Sequence, residues 1–188
     1  MIVKNVLHYG YKCKYYFEDV NPGMLHLTIR YDNIEHKIGE HYLYIQLEES
    51  VQGCDNLVSL DVLDNGYIYD ISLINFCSLS DFIDENIKNT SEEYGLPIFD
   101  NKKVYELESF FQDEIEDQLY MKGNMALKMS STSLFIQFFS LQANIKYKVN
   151  EDIYFYVDIN NQLFAIEIKH LSGDAWNDFR EKFSNNQI

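Results

Sequence analysis

Two stretches of the chain repeat one pattern at a nearly constant spacing, and this constrains the fold more than any other feature. Residues 62–82, VLDNGYIYDISLINFCSLSDF, read strand, short turn, strand, then an Asp-Phe that opens a helical stretch. Residues 157–179, VDINNQLFAIEIKHLSGDAWNDF, read the same way. LYIQL at residues 43–47 recurs as LFIQF at 134–138, so the two matches are offset by 95 and 91 residues. Self-similarity at a fixed offset marks a repeated supersecondary unit. Alternating apolar and polar residues make the flanking segments strands. Asn65-Gly66 predicts a two-residue type I′ turn, because both central residues need positive φ. Asn160-Asn161 serves the same purpose less well, since asparagine tolerates the left-handed region better than other side chains. The expectation is two copies of a β-meander followed by a helix, over roughly residues 20–95 and 120–188.

Between the copies, residues 91–103 (SEEYGLPIFDNKK) hold one of only two prolines and read as a linker. After them Val104, Leu107, Phe111, Ile115 and Leu119 are spaced three or four apart, which predicts an amphipathic helix. Its opposite face carries Glu108, Gln112, Asp113, Glu116 and Asp117, ordinarily a solvated face. The expected fold class is α+β: antiparallel meanders, an internal duplication, and two or three helices packed on the sheet. Residues 1–95 would hold the first meander and its helix. Residues 96–188 would hold the acidic helix, the second meander and a C-terminal helix, with the two parts free to share one core.

Composition narrows the class. Hydrophobic residues are 46% of the 188 and aromatics 15%, ample for a packed interior. No apolar run reaches the length of a membrane span, and the first twenty residues lack the apolar core of a secretory signal. Cys13, Cys54 and Cys77 are far apart and form no C-x-x-C, so reduced thiols and a cytoplasmic protein are expected. Asp and Glu number 30 against 15 Lys and Arg, a net charge of −15. Such a field repels nucleic acid and attracts basic partners. No run of Lys or Arg offers a phosphate-binding patch.

The second hairpin carries a candidate constellation. With Asn160-Asn161 as the turn, Ile153 faces Ile168, Phe155 faces Ile166 and Val157 faces Phe164 on a core face. On the other face Tyr156 meets Ala165, Tyr154 meets Glu167, and Asp152 meets Lys169. Asp152, Glu167 and Lys169 resemble the active site of PD-(D/E)xK nucleases, where two carboxylates hold a divalent metal and a lysine steadies charge at the phosphate. The plainer alternative is a cross-strand ion pair between Asp152 and Lys169, with Glu167 beside Tyr154, all facing water. Ser72 and Ile74 stand at the matching positions of the first copy, so the scaffold does not require the three residues. In the first hairpin Asp61 faces Asp70, a like-charge pair that a cation would relieve or that water would separate. His36 and His41 are one residue too far apart for an inverted zinc-protease motif, and Gly39 interrupts them. With neither a phosphate loop nor a nucleophile elbow, no metal, cofactor or catalytic set is expected.

Two resemblances bear on function. Tyr31-Asp32, Leu43-Tyr44-Ile45, Asp64-Asn65-Gly66, Asp70-Ile71 and Ser78 resemble a small bacterial β-domain family of unknown function. The second copy keeps Leu134-Phe135-Ile136, Ile166-Glu167-Ile168 and Ser172, without the Tyr-Asp and the turn glycine. That resemblance implies a duplicated β-domain and no activity. In profile, a small, acidic, aromatic-rich chain is similar to the immunity proteins of bacterial toxin systems, which neutralise a basic nuclease toxin. This implies a basic protein partner met by Asp61, Asp70, Asp113, Glu116 and Asp117, with tyrosines as anchors.

Overall fold

Runs rich in Val, Ile, Leu, Tyr and Phe with alternating pattern fill most of the described chain, and they pair as strands. The computed structural model describes residues 1–8, 13–21, 24–31, 42–51, 54–63, 65–74, 87, 90–100, 118–122, 125–138 and 142–185. A first sheet contains β2 (Cys13–Asn21), β3 (Met24–Tyr31), β4 (Tyr42–Val51), β5 (Cys54–Leu63), β6 (Ile68–Ile74) and β9 (Gln118–Lys122). A second contains β7 (Ser91–Tyr94), β10 (Ala126–Met129), β11 (Ser133–Gln137), β12 (Ile145–Lys148), β13 (Ile153–Val157) and β14 (Leu163–Lys169). β1 (Ile2–Leu7) and β8 (Leu96–Asp100) form a separate two-stranded ribbon, and α1 (Asp174–Asn185) follows β14.

The two large sheets have one topology. Their orders are β2-β3-β6-β5-β4-β9 and β10-β11-β14-β13-β12-β7. Each is a hairpin joined to a three-stranded meander, with a sixth strand added in parallel beside the meander's first strand. The sixth strands are exchanged. β7 follows the first unit in sequence but completes the second sheet, and β9 precedes the second unit but completes the first. The β1–β8 ribbon ties the units together the same way. Val3 N–H donates to Asn161 O (2.8 Å) at the second hairpin's turn, and Phe99 N–H donates to Gly66 O (2.9 Å) at the first.

The duplication expected from 62–82 and 157–179 therefore has a topological counterpart: β5–β6 corresponds to β13–β14 at the offset of 95. The other match does not. Leu43–Leu47 lies on β4, whose counterpart is β12, whereas Leu134–Gln137 lies on β11, whose counterpart is β3. Five-residue apolar strings recur in any two buried strands, so that likeness was one of strand type.

The inner faces of both sheets meet in one core. Leu27, Ile29, Val58, Leu60, Val62, Ile71 and Leu73 from the first pack in a single cluster with Leu134, Ile136, Ile153, Phe155, Val157, Ile166 and Ile168 from the second. α1 adds Trp176 and Phe179 to this cluster, their rings stacked at 6.1 Å. Trp176 Nε1 donates to Ser131 O (2.9 Å), which satisfies the one polar atom of a fully buried indole.

Three expectations are corrected. The fold is mostly β, with a single helix among the described residues, rather than α+β with two or three helices. Of the predicted acidic helix, Gln118–Tyr120 lie in β9, because the parallel edge of β4 takes them as a strand. The rest of it, and the predicted helix after β6 apart from Ile87, lie outside the described residues. Residues 91–100 are two strands, not a linker. Pro97 is tolerated there because β8 has a single ladder partner, β1, in a two-stranded ribbon.

The turns also differ from the prediction. Leu63 N–H donates to Tyr67 O, and Gly66 N–H to Leu63 O. Asp158 and Gln162 repeat the first bond, Asn161 and Asp158 the second. Each loop thus holds three residues and ends in a left-handed residue, Gly66 (φ 90°) or Asn161 (φ 60°). A bulge then follows in each hairpin, between Asp61 and Val62 and between Tyr156 and Val157. The extra loop residue shifts the register by one, and the bulge shifts it back. Ile153–Ile168, Phe155–Ile166 and Asp61–Asp70 pair as predicted, but Val157 pairs with Leu163 instead of Phe164.

Candidate functional site

Strand register aligns the polar residues of each sheet in rows across the face opposite the shared core. On the first sheet one row runs Tyr16, Thr28, Asp70, Asp61, Tyr44, Gln118. The equivalent row on the second sheet runs Ala126, Gln137, Ala165, Tyr156, Lys146, Glu92. The next row on the second sheet is Lys128, Phe135, Glu167, Tyr154, Lys148, Tyr94.

The second sheet's rows form a dense network around Tyr154. Lys146 and Lys169 reach its ring from neighbouring strands, 4.4 and 4.5 Å from the centroid. Each ammonium also has a carboxylate: Lys146 pairs with Glu92 at 3.0 Å and Lys169 with Glu167 at 3.5 Å. Lys148 pairs with Glu151 at 2.6 Å and lies 5.2 Å from the Tyr94 ring. Its hydrogen bond to Glu151 is the main reason its pKa is raised. The Lys146 ammonium holds the Glu92 carboxyl below its ordinary range. Tyr156 Oη donates to Glu167 Oε2 at 2.7 Å. Burial first, and that hydrogen bond second, push the Tyr156 phenol well above the usual tyrosine range. Burial likewise raises Tyr154.

The predicted residues fall into this frame unevenly. Glu167 and Lys169 do sit together. Asp152 does not complete a triad with them: His170 Nδ1 lies 2.8 Å from its Oδ1, and its contact with Lys169 is made through the main chain, where Lys169 N–H donates to Asp152 O. His170 is turned into this position by a left-handed backbone (φ 56°). The face is open to water only in part: the Asp152 and Lys169 side chains are 36% and 34% exposed, while Tyr154 and Tyr156 are buried. Phe135, Ala143, Phe164 and Ala165 form a second apolar cluster with them, and Ile87 packs against it. Among the described residues no three His, Cys, Asp or Glu side chains are grouped to hold a metal ion.

On the first sheet Asp61 and Asp70 are directly opposite, as predicted. Asp70 is buried, and Thr28 Oγ1 donates to its Oδ2 at 3.1 Å. Ser59 and Ser72 beside them are buried too. Asp61 is only half-buried, which makes it the member of the pair nearer solvent. Asp113, Glu116 and Asp117 lie outside the described residues. Sequence reasoning missed Lys146, Lys148, Tyr156 and Glu92. The alternation in Ile145-Lys146-Tyr147-Lys148 was the available signal, because residues two apart on a strand share a face. Which strand lay beside it was not legible.

No helix among the described residues is long and apolar enough to cross a membrane. No family model matches the chain and no curated protein is significantly similar to it, so the two resemblances rest on the residues and the profile that carry them.

Proposed function

We propose that this chain is an acidic binding protein that neutralises a basic protein partner, as an immunity protein does for a bacterial nuclease toxin, and that it acts in the cytoplasm. The observation that carries this reading is the uneven placement of charge on a repeated scaffold. Residues 13–74, the five consecutive strands of the first unit, hold 11 Asp and Glu against 3 Lys and Arg. Residues 126–169, the matching strands of the second unit, hold 4 against 4. A shared topology needs no such difference in charge. A one-sided field of this kind speeds encounter with an oppositely charged protein and selects against nucleic acid.

Asp61 and Asp70 on the first unit and Asp113, Glu116 and Asp117 on the predicted acidic segment are the proposed contact acids, Asp61 being the more exposed of its pair. The purified protein, used as bait in lysate of its own source at low salt, should retain one basic protein and release it as ionic strength rises. Replacing Asp113, Glu116 and Asp117 by their amides should slow association with that protein and flatten its salt dependence. If nothing basic is retained, or if association is indifferent to salt, the reading fails.

A further inference from the structure

The second sheet ends, among the described residues, on β7, a strand of four residues that are all exposed. Edge strands expose unpaired backbone groups, and proteins usually blunt them with lysine, proline or a cover. β7 reads Ser-Glu-Glu-Tyr, without lysine or proline, and the charges it carries are two glutamates. In a parallel ladder alternate residues bond to the neighbour. Ser91 N–H donates to Asn144 O and Gly95 N–H to Lys148 O, both at 3.1 Å, so the odd-numbered residues face β12. Glu92 and Tyr94 therefore turn their backbone groups outward. His8 Nδ1 lies 3.1 Å from one of these, Tyr94 O. Among the described residues nothing takes up Glu92 N–H, Glu92 C=O or Tyr94 N–H, which leaves them for a further strand.

The side chains determine what kind of strand fits. Glu92 is tied to Lys146, Glu93 is exposed and adds a second carboxylate, and the Tyr94 ring is 65% exposed. Residues 91–100 contain three acids and no Lys or Arg. Lys146 and Lys148 beside β7 already have carboxylates in Glu92 and Glu151, so the further negative charge of Glu93 favours a basic segment over an acidic one. We infer that β7 is a docking edge for an extended, lysine- or arginine-bearing segment, which adds to the sheet as a seventh strand and sets a cation on Glu93. This rests on the reading of the chain as a binder of basic proteins and names where on it one segment of the partner would sit.

An eight-residue peptide of alternating Lys and Thr is a suitable probe, with alternating Glu and Thr as its control. Amide exchange of the full-length protein should show slower exchange at Glu92 and Tyr94 when the Lys-Thr peptide is added at low salt, and no change with the Glu-Thr peptide. Glu93→Lys should weaken binding by about fivefold or more, the scale of one exposed charge pair. Tyr94→Pro removes an outward N–H without touching the bonds to β12, and should abolish the protection at Glu92. Binding of the Lys-Thr peptide with no slowing at Glu92 and Tyr94 would overturn the edge site while leaving the wider proposal standing. No binding at low salt would overturn it as well, and capture of a basic protein by the whole chain would then decide the wider proposal separately.

Discussion

The outer faces of the two sheets occupy equivalent positions on equivalent strands, yet they hold opposite chemistry. Where the first sheet places Asp61 and Asp70 side by side, the second places Tyr156 and Ala165. The inner faces show no such divergence: Leu60 and Ile71 correspond to Phe155 and Ile166, all buried. A shared core restricts a position to apolar residues of suitable volume, whatever the copy. The outer rows carry no such restriction and are where the two copies came to differ.

The largest effects should come from what the copies share. Trp176→Ala removes a fully buried indole from the common core and should cost about 3–5 kcal/mol in denaturant unfolding. Both sheets should then lose structure in one transition; two separate transitions would show that the copies do not share their stability.

The turns offer a sharper test, because their geometry matches while their surroundings differ. A Cβ at Gly66 would sit 2.3 Å from Phe99 O, on a backbone with φ 90°. Gly66→Ala should therefore cost about 3 kcal/mol or more, through both strain and displacement of the ribbon. Asn161→Ala has only the left-handed backbone to contend with and should cost about 1 kcal/mol. Equal losses would mean that the ribbon contact at Gly66 contributes nothing.

On the outer face of the second sheet, Tyr156→Phe removes the hydroxyl that donates to Glu167 and should cost about 1.5 kcal/mol, the scale of a hydrogen bond to a charged group. The phenols also set a pH limit. Tyr147, Tyr154 and Tyr156 all have pKa values raised above 10.0 in the fold. Below pH 10 they are protonated whether folded or not and leave stability unchanged. Above it the unfolded chain loses protons that the folded chain keeps, so stability should fall as pH rises. Phenolate absorbance during alkaline titration should show a group of tyrosines that ionise only as the fold opens. The smallest effect is expected at Asp152→Asn, which loosens an exposed contact with His170 and should change stability by no more than about 0.5 kcal/mol.

Much of the hairpin architecture was legible in the chain. Ile153, Phe155, Ile166 and Ile168 alternate with residues of more polar character, and a one-residue slip would have turned them all away from the shared core, so their pairing followed from the pattern. The turn type did not, because a three-residue loop with a bulge yields the same distant register as a two-residue turn without one. Asp152 was placed in the right row but given the wrong neighbour, since the backbone of His170, not the strand pattern, brings the imidazole to it.

The sequence by itself determined that residues 62–74 and 157–169 form like hairpins at an offset of 95, and that the charge is −15. These are local periodicities and sums, and they need no knowledge of neighbours. Only the tertiary structure decided that β7 and β9 cross over to each other's sheets, that β1 and β8 clasp the two turns, and that Lys146 and Lys169 converge on the buried ring of Tyr154. Parallel pairing between distant segments has no turn to announce it. It is settled by which open edge, when all the sheets have formed, has backbone groups still to be satisfied.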